Sequence, residues 1–208
     1  MAPTSDEPTV FVVDDEAAVR SSLRWLLESI KLKVETFDSA ENFLASMTAD
    51  RPGCIVLDVR MPGMSGPELM DVLLERHVTT PIIFLSAHGD VPLAVRTIKG
   101  GAVDFLQKPY NNQQFLERVR QALELDARNR EKRKVHGDTA SRIEALSARE
   151  REILDLVVEG SSNKVIGRAL GISYKTVEAH RARLMRKMGV SSFAELMQTV
   201  LSFRGQKS

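Results

Sequence analysis

The sequence predicts a chain with an α/β half followed by an all-α half. In residues 9–124, short β-branched apolar runs bounded by turn residues alternate with amphipathic stretches. In residues 143–208, helix caps and terminating glycines follow one another at close intervals. The first pattern is typical of a parallel sheet covered by helices on both faces, and the second of a small helical domain.

Five βα units account for the first half and specify a doubly wound (βα)5 parallel sheet. The predicted strands are Val10–Val13, Lys33–Phe37, Cys54–Asp58, Ile82–Ser86 and Asp104–Gln107. The predicted helices are Ala17–Ile30, a helix capped by Ser39 that ends near Met47, Pro67–Arg76, Val91–Lys99 and a fifth that begins near Asn112.

The fifth helix has no obvious C-terminal signal. Charged residues fill most of Asp126–Lys134, and His136-Gly137-Asp138 is predicted to end the helical pattern. We therefore divide the chain into a tail at 1–8, an α/β domain at 9–124, a charged linker at 125–142 that is helical in its first part, and a helical domain at 143–208.

Four helices are predicted in the second half. Capping boxes at Ser147–Glu150 and Ser192–Glu195 open the first and the last of them. The two helices between them are Asn163–Leu170, capped by Ser162, and Tyr174–Met188, capped by Ser173. Because Gly171-Ile172-Ser173 joins two short helices, this segment is predicted to be a helix-turn-helix unit.

The charge of the chain is divided in the same way. Residues 1–124 hold 12 Lys and Arg against 18 Asp and Glu, and residues 125–208 hold 17 against 10, although the whole chain has a net charge of +1. An acidic half followed by a basic half favours a cation or phosphoryl site first and a polyanion partner second. Chance variation between two ordinary domains is the alternative.

One cysteine and the hydropathy pattern limit the other possibilities. Cys54 is the only cysteine and lies in a predicted buried strand, so a core residue is favoured over a nucleophile. No apolar run reaches the roughly 18 residues that a membrane span requires, and Met1–Pro8 is polar and acidic. We expect a cytoplasmic protein without membrane contact.

Polar residues follow the predicted strands at their carboxyl ends. Asp14 and Asp15 follow the first strand, Asp58 ends the third, Ser86 ends the fourth, and Lys108 follows the fifth. Ligands bind at this edge of an open α/β sheet, and three carboxylates there favour Mg²⁺ and a phosphoryl group. Taken singly, Asp15 could be a helix cap, Lys108 a surface lysine and Ser86 a turn residue.

These residues resemble the receiver domain of two-component response regulators. The motifs that carry the resemblance are Val13–Glu16, Leu57–Gly66, Leu85–Ala87 and Lys108-Pro109. The resemblance implies a flavodoxin-like sheet of order 2-1-3-4-5. It also implies that Asp58 accepts a phosphoryl group from a sensor histidine kinase.

The same resemblance assigns the other receiver residues. It implies a Mg²⁺ site made by Asp15, Asp58 and the main-chain carbonyl of Arg60, with Asp14 in the same acidic pocket. Ser86 and Phe105 take the switch positions, although Phe105 could equally be a core residue. Many receivers have threonine where this chain has Ser86, and serine keeps the hydroxyl.

A basic stripe accompanies the helix-turn-helix. Its exposed positions are expected to contact DNA. The lysines and arginines are expected to contact phosphates, and Glu178 and Ala179 are expected to contact base edges. The candidate DNA-binding residues are Lys164, Lys175, Thr176, Glu178, Ala179, Arg181, Ala182, Arg183 and Lys187. His180 lies close to the apolar stripe, which favours a structural role for it.

The segments Leu146–Glu150, Lys164–Ser173 and Thr176–His180 resemble the DNA-binding domain of the LuxR/FixJ class. In that class the last helix, here Ser192–Phe203, forms the dimer contact on DNA; without the resemblance, Leu196, Val200 and Phe203 equally fit a core. The implied protein is a response regulator that dimerises when phosphorylated, binds promoter DNA and activates transcription, with RNA polymerase as an expected partner.

Two other functions stay open from the sequence. One is a DNA-binding regulator that works without phosphorylation, against which the set Asp14, Asp15, Asp58, Ser86 and Lys108 argues. The other is a Mg²⁺-dependent phosphohydrolase, but such enzymes place an acid two residues after the nucleophile, where this chain has Arg60. We expect no enzymatic activity beyond the receiver's own phosphorylation and dephosphorylation. A resemblance to styrene-degradation regulators suggests aromatic-hydrocarbon catabolism as the pathway.

Overall fold

The computed structural model of the chain describes residues 7–47, 51–87 and 91–205. The chain divides into two compact units, Met1–Arg130 and Glu131–Ser208. Among the described residues, two hydrophobic cores lie in the first unit and one lies in the second.

The first unit contains a parallel sheet of five strands in the order β2-β1-β3-β4-β5. The predicted α/β fold and its strand order are therefore confirmed. The strands are β1 (Thr9–Val13), β2 (Lys33–Phe37), β3 (Gly53–Asp58), β4 (Ile82–Ser86) and β5 (Asp104–Gln107). Every residue of β1, β3 and β4 is buried, as expected of strands covered on both faces.

Helices cover both faces of the sheet. Their bounds are α1 (Ala17–Ser29), α2 (Ala40–Ser46), α3 (Gly66–Glu75), α4 (Val91–Lys99) and α5 (Asn112–Glu144). Leu23 and Leu27 of α1 share one core with Phe115 and Val119 of α5. The other core holds side chains of α2 and α3. Since side chains alternate along a strand, neighbouring strand residues supply opposite cores.

The prediction that the helical pattern ends at His136-Gly137-Asp138 is wrong, because α5 continues to Glu144. A glycine inside a helix costs only about 1 kcal/mol relative to alanine, and contacts in the second unit offset this cost. Thr139 is buried, and the His136 ring stacks on Phe203 with centroids 4.5 Å apart. The segment predicted as linker is thus helical throughout, and its last part belongs to the second unit.

The second unit also contains four helices after α5: α6 (Ala148–Val158), α7 (Asn163–Leu170), α8 (Tyr174–Met188) and α9 (Phe193–Gly205). The side chains of Ser162 and Ser173 cap α7 and α8, and Gly171 and Gly189 end these helices in the left-handed conformation. Leu196 and Val200 of α9 lie in the core of the unit, so these two residues are core residues.

The capping box predicted at Ser192–Glu195 differs in one contact. The Glu195 amide donates to Ser192 Oγ at 3.1 Å, and Glu195 Oε2 accepts mainly from Ser191, whose amide lies 2.8 Å away. Within the described residues, none of the helices combines the length and apolar character that a membrane crossing needs.

Candidate functional site

The predicted acidic pocket forms at the carboxyl edge of the sheet, where two carboxylates share one lysine. Lys108 Nζ lies 2.9 Å from Asp14 Oδ2 and 2.7 Å from Asp58 Oδ1. Asp14 follows β1, Asp58 ends β3 and Lys108 follows β5, so three strands of the sheet bring these groups together. Both carboxylates are buried, at 1% and 7% exposure.

Backbone amides hold the remaining oxygen of each carboxylate. The Glu16 amide donates to Asp14 Oδ1 at 2.9 Å, and the Arg60 amide donates to Asp58 Oδ2 at 2.8 Å. The Lys108 amide donates to the carbonyl oxygen of Ser86 at 2.7 Å, which fixes the residue after β5 against the end of β4. The charged groups are therefore fixed in place by the strands and loops that carry them.

The electrostatics of the pocket depend on burial and on the shared lysine. Burial raises the pKa of Asp14, and hydrogen bonds from Lys108 and the Glu16 amide only partly offset this. For Lys108, burial lowers the pKa, but its bonds to Asp58 and Asp14 outweigh burial and the net pKa is raised. Lys108 is therefore the cation between the two carboxylates at neutral pH.

Asp15 lies beside this pocket and its side chain is exposed. Arg20 of α1 donates from one nitrogen, Nη1, to the carbonyl oxygens of both Asp14 and Asp15, at 2.8 Å each. Sequence reasoning missed Arg20, since no motif marks a side chain whose partners are main-chain atoms. Its contacts hold the loop that presents the two aspartates.

The described residues contain no group of three or more His, Cys, Asp or Glu side chains arranged to hold a metal ion. Asp14 and Asp58 converge instead on the Lys108 ammonium. Their oxygens are nevertheless the ligands that Mg²⁺ prefers, and the pocket already accommodates positive charge between them. The donor set therefore fits a hard divalent cation.

The loop after Asp58 approaches the main chain closely at one glycine. A Cβ atom at Gly66 would lie 2.2 Å from the Asp58 carbonyl oxygen, so no other residue fits without displacement of the loop. The Gly66 amide donates to the carbonyl of Val59 at 3.1 Å. Gly66 thus lets α3 begin directly beside the pocket.

The two predicted switch residues lie on neighbouring strands. Ser86 is buried at the carboxyl end of β4, the strand next to that of Asp58. Phe105 on β5 is half-buried, and its ring centroid lies 6.4 Å from that of Phe84. Phe105 therefore contacts the core without being enclosed by it.

In the second unit, helix α8 has a buried face and a polar face. Val177, Leu184 and Met188 are buried. The candidate DNA-binding residues on the exposed surface are Lys164 on α7 and Lys175, Glu178, Ala179, Ala182 and Arg183 on α8. The structure brings these residues to the surface of one helix-turn-helix, as the sequence predicts.

Three other candidates have partners inside the unit. The Thr176 hydroxyl lies 2.8 Å from Ser173 Oγ at the cap of α8. Arg181 Nη1 donates to Asn163 Oδ1 at 2.5 Å. Lys187 Nζ donates to Glu150 Oε2 at 2.7 Å and to the carbonyl of Ala145 at 3.1 Å. These side chains stabilise helix contacts, a role that spacing on one helix does not reveal.

His180 is half-buried, and its Nδ1 atom has no hydrogen-bond partner among the described residues. Cys54 is fully buried on β3, and burial raises the pKa of its thiol, so it is a core residue rather than a nucleophile.

An acidic pocket at the edge of a (βα)5 sheet, together with a helix-turn-helix surface, is typical of a two-domain transcriptional regulator. Comparison with known families gives the same class. Residues 10–120 match the family "Response regulator receiver domain", and residues 144–200 match "Bacterial regulatory proteins, luxR family".

Individual relatives extend over almost the whole chain. The transcriptional regulatory protein TdiR of Thauera aromatica is 52% identical over 198 residues, which cover 95% of this chain and 87% of TdiR. FixJ of Azorhizobium caulinodans is 46% identical, with 92% of this chain and 91% of FixJ covered. A structure of the response regulator StyR has a TM-score of 0.85 and 44% identity, with 93% and 98% coverage.

The chain therefore belongs to the FixJ-class response regulators of the luxR family. It is a two-component response regulator that acts on transcription, and its two domains imply a kinase partner and binding to DNA. Its relatives are transcriptional regulators rather than enzymes in the usual sense.

Proposed function

We propose that Asp58 is the phosphoacceptor of this regulator and that a sensor histidine kinase is the phosphoryl donor. The observation that carries this proposal is the convergence of Asp14 and Asp58 on Lys108 at the carboxyl edge of the sheet. Asp58 is buried, yet it lies where loops leave the sheet and where ligands bind in such folds.

In the proposed reaction, the N–P bond of a phosphohistidine breaks as an oxygen of Asp58 forms an O–P bond. The histidine nitrogen keeps the electron pair of the broken bond. Lys108 is placed to bind an oxygen of the incoming group, because its ammonium already contacts Asp58 Oδ1. The Ser86 hydroxyl, from the neighbouring strand, is proposed to bind a second oxygen.

The residues proposed to hold Mg²⁺ are Asp14, Asp15, Asp58 and the main-chain carbonyl of Arg60. When bound, Mg²⁺ would neutralise the charge that two carboxylates and a phosphoryl group bring together. The Arg60 amide already contacts Asp58, which supports a place for this residue at the pocket. Arg20 fixes the loop of the two aspartates through their carbonyl oxygens.

Acetyl phosphate with Mg²⁺ tests this assignment in the full chain. Mass spectrometry is expected to show one added phosphoryl group in the wild type and none in Asp58→Asn. Asp71→Asn is a matched control, because Asp71 is an exposed residue of α3 in an open ion pair with Arg96. Full labelling of Asp58→Asn would contradict the proposal, as would labelling of the wild type without Mg²⁺.

Phosphorylation is proposed to act through dimerisation of the first unit. The exposed apolar residues Val91, Val95 and Ile98 lie on α4, beside the strand that carries Phe105. A change at Ser86 and Phe105 would alter this surface. A dimer raises the effective concentration of the second helix-turn-helix at a two-fold site.

Dimerisation can be measured by sedimentation with and without beryllofluoride. A mass that doubles on addition supports the proposal. A first unit that stays monomeric while DNA binding is still activated would contradict it.

In the second unit, we propose that Lys164, Lys175, Glu178, Ala179, Ala182 and Arg183 contact promoter DNA, with RNA polymerase as a further partner on the promoter. Thr176, Arg181 and Lys187 are proposed to act mainly through the helix contacts described above. The pathway proposed from resemblance is aromatic-hydrocarbon catabolism. A kinase gene and a catabolic operon beside this gene would support that pathway.

A further inference from the structure

The C-terminal end of α8 is bound by the last part of α5, within the second unit. Arg142 of α5 donates from Nη1 to the carbonyl oxygen of Met188, the last residue of α8, at 2.8 Å. A cation at the C-terminus of a helix satisfies a carbonyl that has no partner inside the helix and interacts favourably with the helix dipole. Arg142 is therefore a capping group that comes from another helix.

The residue after α8 is packed against the same guanidinium. Gly189 has a φ of 68°, and a Cβ atom there would lie 2.8 Å from Arg142 Nη1. The Gly189 and Val190 amides donate to the carbonyls of Arg186 and Met185, at 3.1 Å each, which completes a Schellman ending. The guanidinium therefore lies in the space that a side chain at position 189 would occupy.

A contact in the opposite direction ties the two helix ends together. Lys187, in the last turn of α8, donates to the carbonyl of Ala145, the residue directly after α5, at 3.1 Å. Arg151 of α6 donates to the carbonyls of Ile143 and Glu144, at 3.3 and 3.4 Å. The end of α5 is thus held by two other helices of the unit.

We propose that Arg142 is a positioning residue for DNA recognition, which rests on the proposed function of α8 as the DNA-contacting helix. Helix α8 has 15 residues, so its two ends lie about 22 Å apart. A tilt of about 5° at the Met188 end would move the other end by about 2 Å over this length. Lys175, Glu178 and Ala179 lie at that other end, where base contacts depend on geometry.

The alternative role for Arg142 is a direct contact to a phosphate. The salt dependence of binding separates the two roles, because loss of one phosphate contact lowers the slope of log K against log[salt] by about 0.9. A positioning residue leaves this slope unchanged. It also affects a selected sequence more than a scrambled one, since only base contacts depend on fine placement.

The test uses the full chain, a duplex selected from a random pool with the wild-type protein, and a scrambled duplex of equal length. Arg142→Gln is expected to weaken binding to the selected duplex by about tenfold, with a much smaller change for the scrambled duplex. Lys134→Gln is the matched control, because Lys134 is an exposed lysine on the same helix and its loss removes the same charge. Amide hydrogen exchange should rise in Arg142→Gln at residues 185–190 and not in Lys134→Gln.

A double-mutant cycle with Gly189→Ala sharpens the test. The new Cβ would displace the guanidinium from the end of α8. Arg142→Gln should therefore cause little further loss of DNA affinity when Gly189→Ala is already present. Full additivity in DNA affinity would overturn the proposal, as would equal effects of Arg142→Gln and Lys134→Gln on the selected duplex or a lower salt slope.

Lys175→Ala and Glu178→Ala separate this proposal from the function on which it rests. Both are expected to weaken binding, Lys175→Ala on both duplexes and Glu178→Ala on the selected one. If neither changes DNA affinity while Arg142→Gln still raises exchange at the end of α8, the proposed function of α8 fails. If both variants weaken DNA binding and Arg142→Gln does not, the positioning role of Arg142 is contradicted while the proposed function of α8 stands.

Discussion

Two buried carboxylates, one in each unit, each contact a lysine at a similar distance, but their pKa values are shifted in opposite directions. Asp14 Oδ2 lies 2.9 Å from Lys108 Nζ, and Glu150 Oε2 lies 2.7 Å from Lys187 Nζ. Their side chains are 1% and 5% exposed. Nevertheless, the pKa of Asp14 is raised above its ordinary value, whereas the pKa of Glu150 is lowered to about 2.

The difference follows first from desolvation, which dominates the pKa of Asp14 but not that of Glu150, and only then from the partners of each carboxylate. Burial is the main influence on the pKa of Asp14, and Asp14 shares its lysine with a second carboxylate, Asp58, which also raises that pKa. Glu150 accepts bonds from Lys187 and from the Ser147 amide, and these outweigh its burial. Solvent also reaches Lys187, which is 40% exposed.

The charge of Glu150 is favoured in the folded protein, whereas the charge of Asp14 is disfavoured there. The Glu150–Lys187 contact joins α6 to α8. The pocket combines two carboxylates, Asp14 and Asp58, with one ammonium from Lys108, and burial of the Asp14 charge costs stability. In the proposed function, this charge serves to bind a cation. Free energies of unfolding of variants in each unit distinguish the two contacts.

The largest effect is expected for Glu150→Gln. The amide cannot hold a charge beside Lys187, so we expect the second unit to lose about 1–2 kcal/mol of unfolding free energy. Urea titration followed by hydrogen exchange, resolved for each unit, measures this loss. Glu152→Gln is the control, since Glu152 is exposed and pairs with Arg149 on the same helix, and it should change stability by less than about 0.5 kcal/mol.

A smaller effect of opposite sign is expected for Asp14→Asn. Removing a charge that burial disfavours should raise the unfolding free energy of the first unit, by about 1 kcal/mol or less. Asp15→Asn, at the exposed neighbour, should leave stability nearly unchanged. A clear loss of stability in Asp14→Asn would show that the Asp14–Lys108 contact stabilises the fold, contrary to the comparison.

The sequence allowed the pocket to be predicted better than the Glu150 contact. Asp14, Asp58 and Lys108 come directly after or at the end of buried strands, and parallel strands bring such positions to one edge regardless of their separation. Glu150 and Lys187 are 37 residues apart on two helices, and their meeting depends on how those helices pack. Capping spacing predicted that Glu150 faces Ser147, but no local pattern indicates the lysine.

Local sequence patterns also fail to predict how far α5 extends. Gly137 was expected to end a helix because local propensity disfavours it, yet packing of Thr139 and His136 in the second unit keeps α5 continuous. By contrast, β4 has the predicted bounds, because its run of buried apolar residues, with Ile82 and Ile83 β-branched, is a local signal. The bounds of β5 are also as predicted.

The smallest effect is the pH dependence of these two contributions. Glu150 has a folded pKa of about 2, below its ordinary 4.5, so its stabilising contribution is complete above pH 4.5 and is lost as the pH falls toward 2. The folded pKa of Asp14 lies above its ordinary 3.8, so its protonation favours the folded state. The penalty of its charge is therefore present at neutral pH and disappears as the pH falls through the folded pKa toward 3.8.

Acidification should therefore reduce both differences in unfolding free energy between variant and wild type, although the two differences have opposite signs. As the pH falls, the greater stability of wild type over Glu150→Gln should persist to about pH 4.5 and then decline. The greater stability of Asp14→Asn over wild type should begin to decline before that, at a higher pH. Urea midpoints for each unit between pH 7 and pH 3 measure both. If the Asp14→Asn difference stayed constant across this range, the Asp14 charge would not be its source. The contrast between the two carboxylates would then rest on packing rather than on charge.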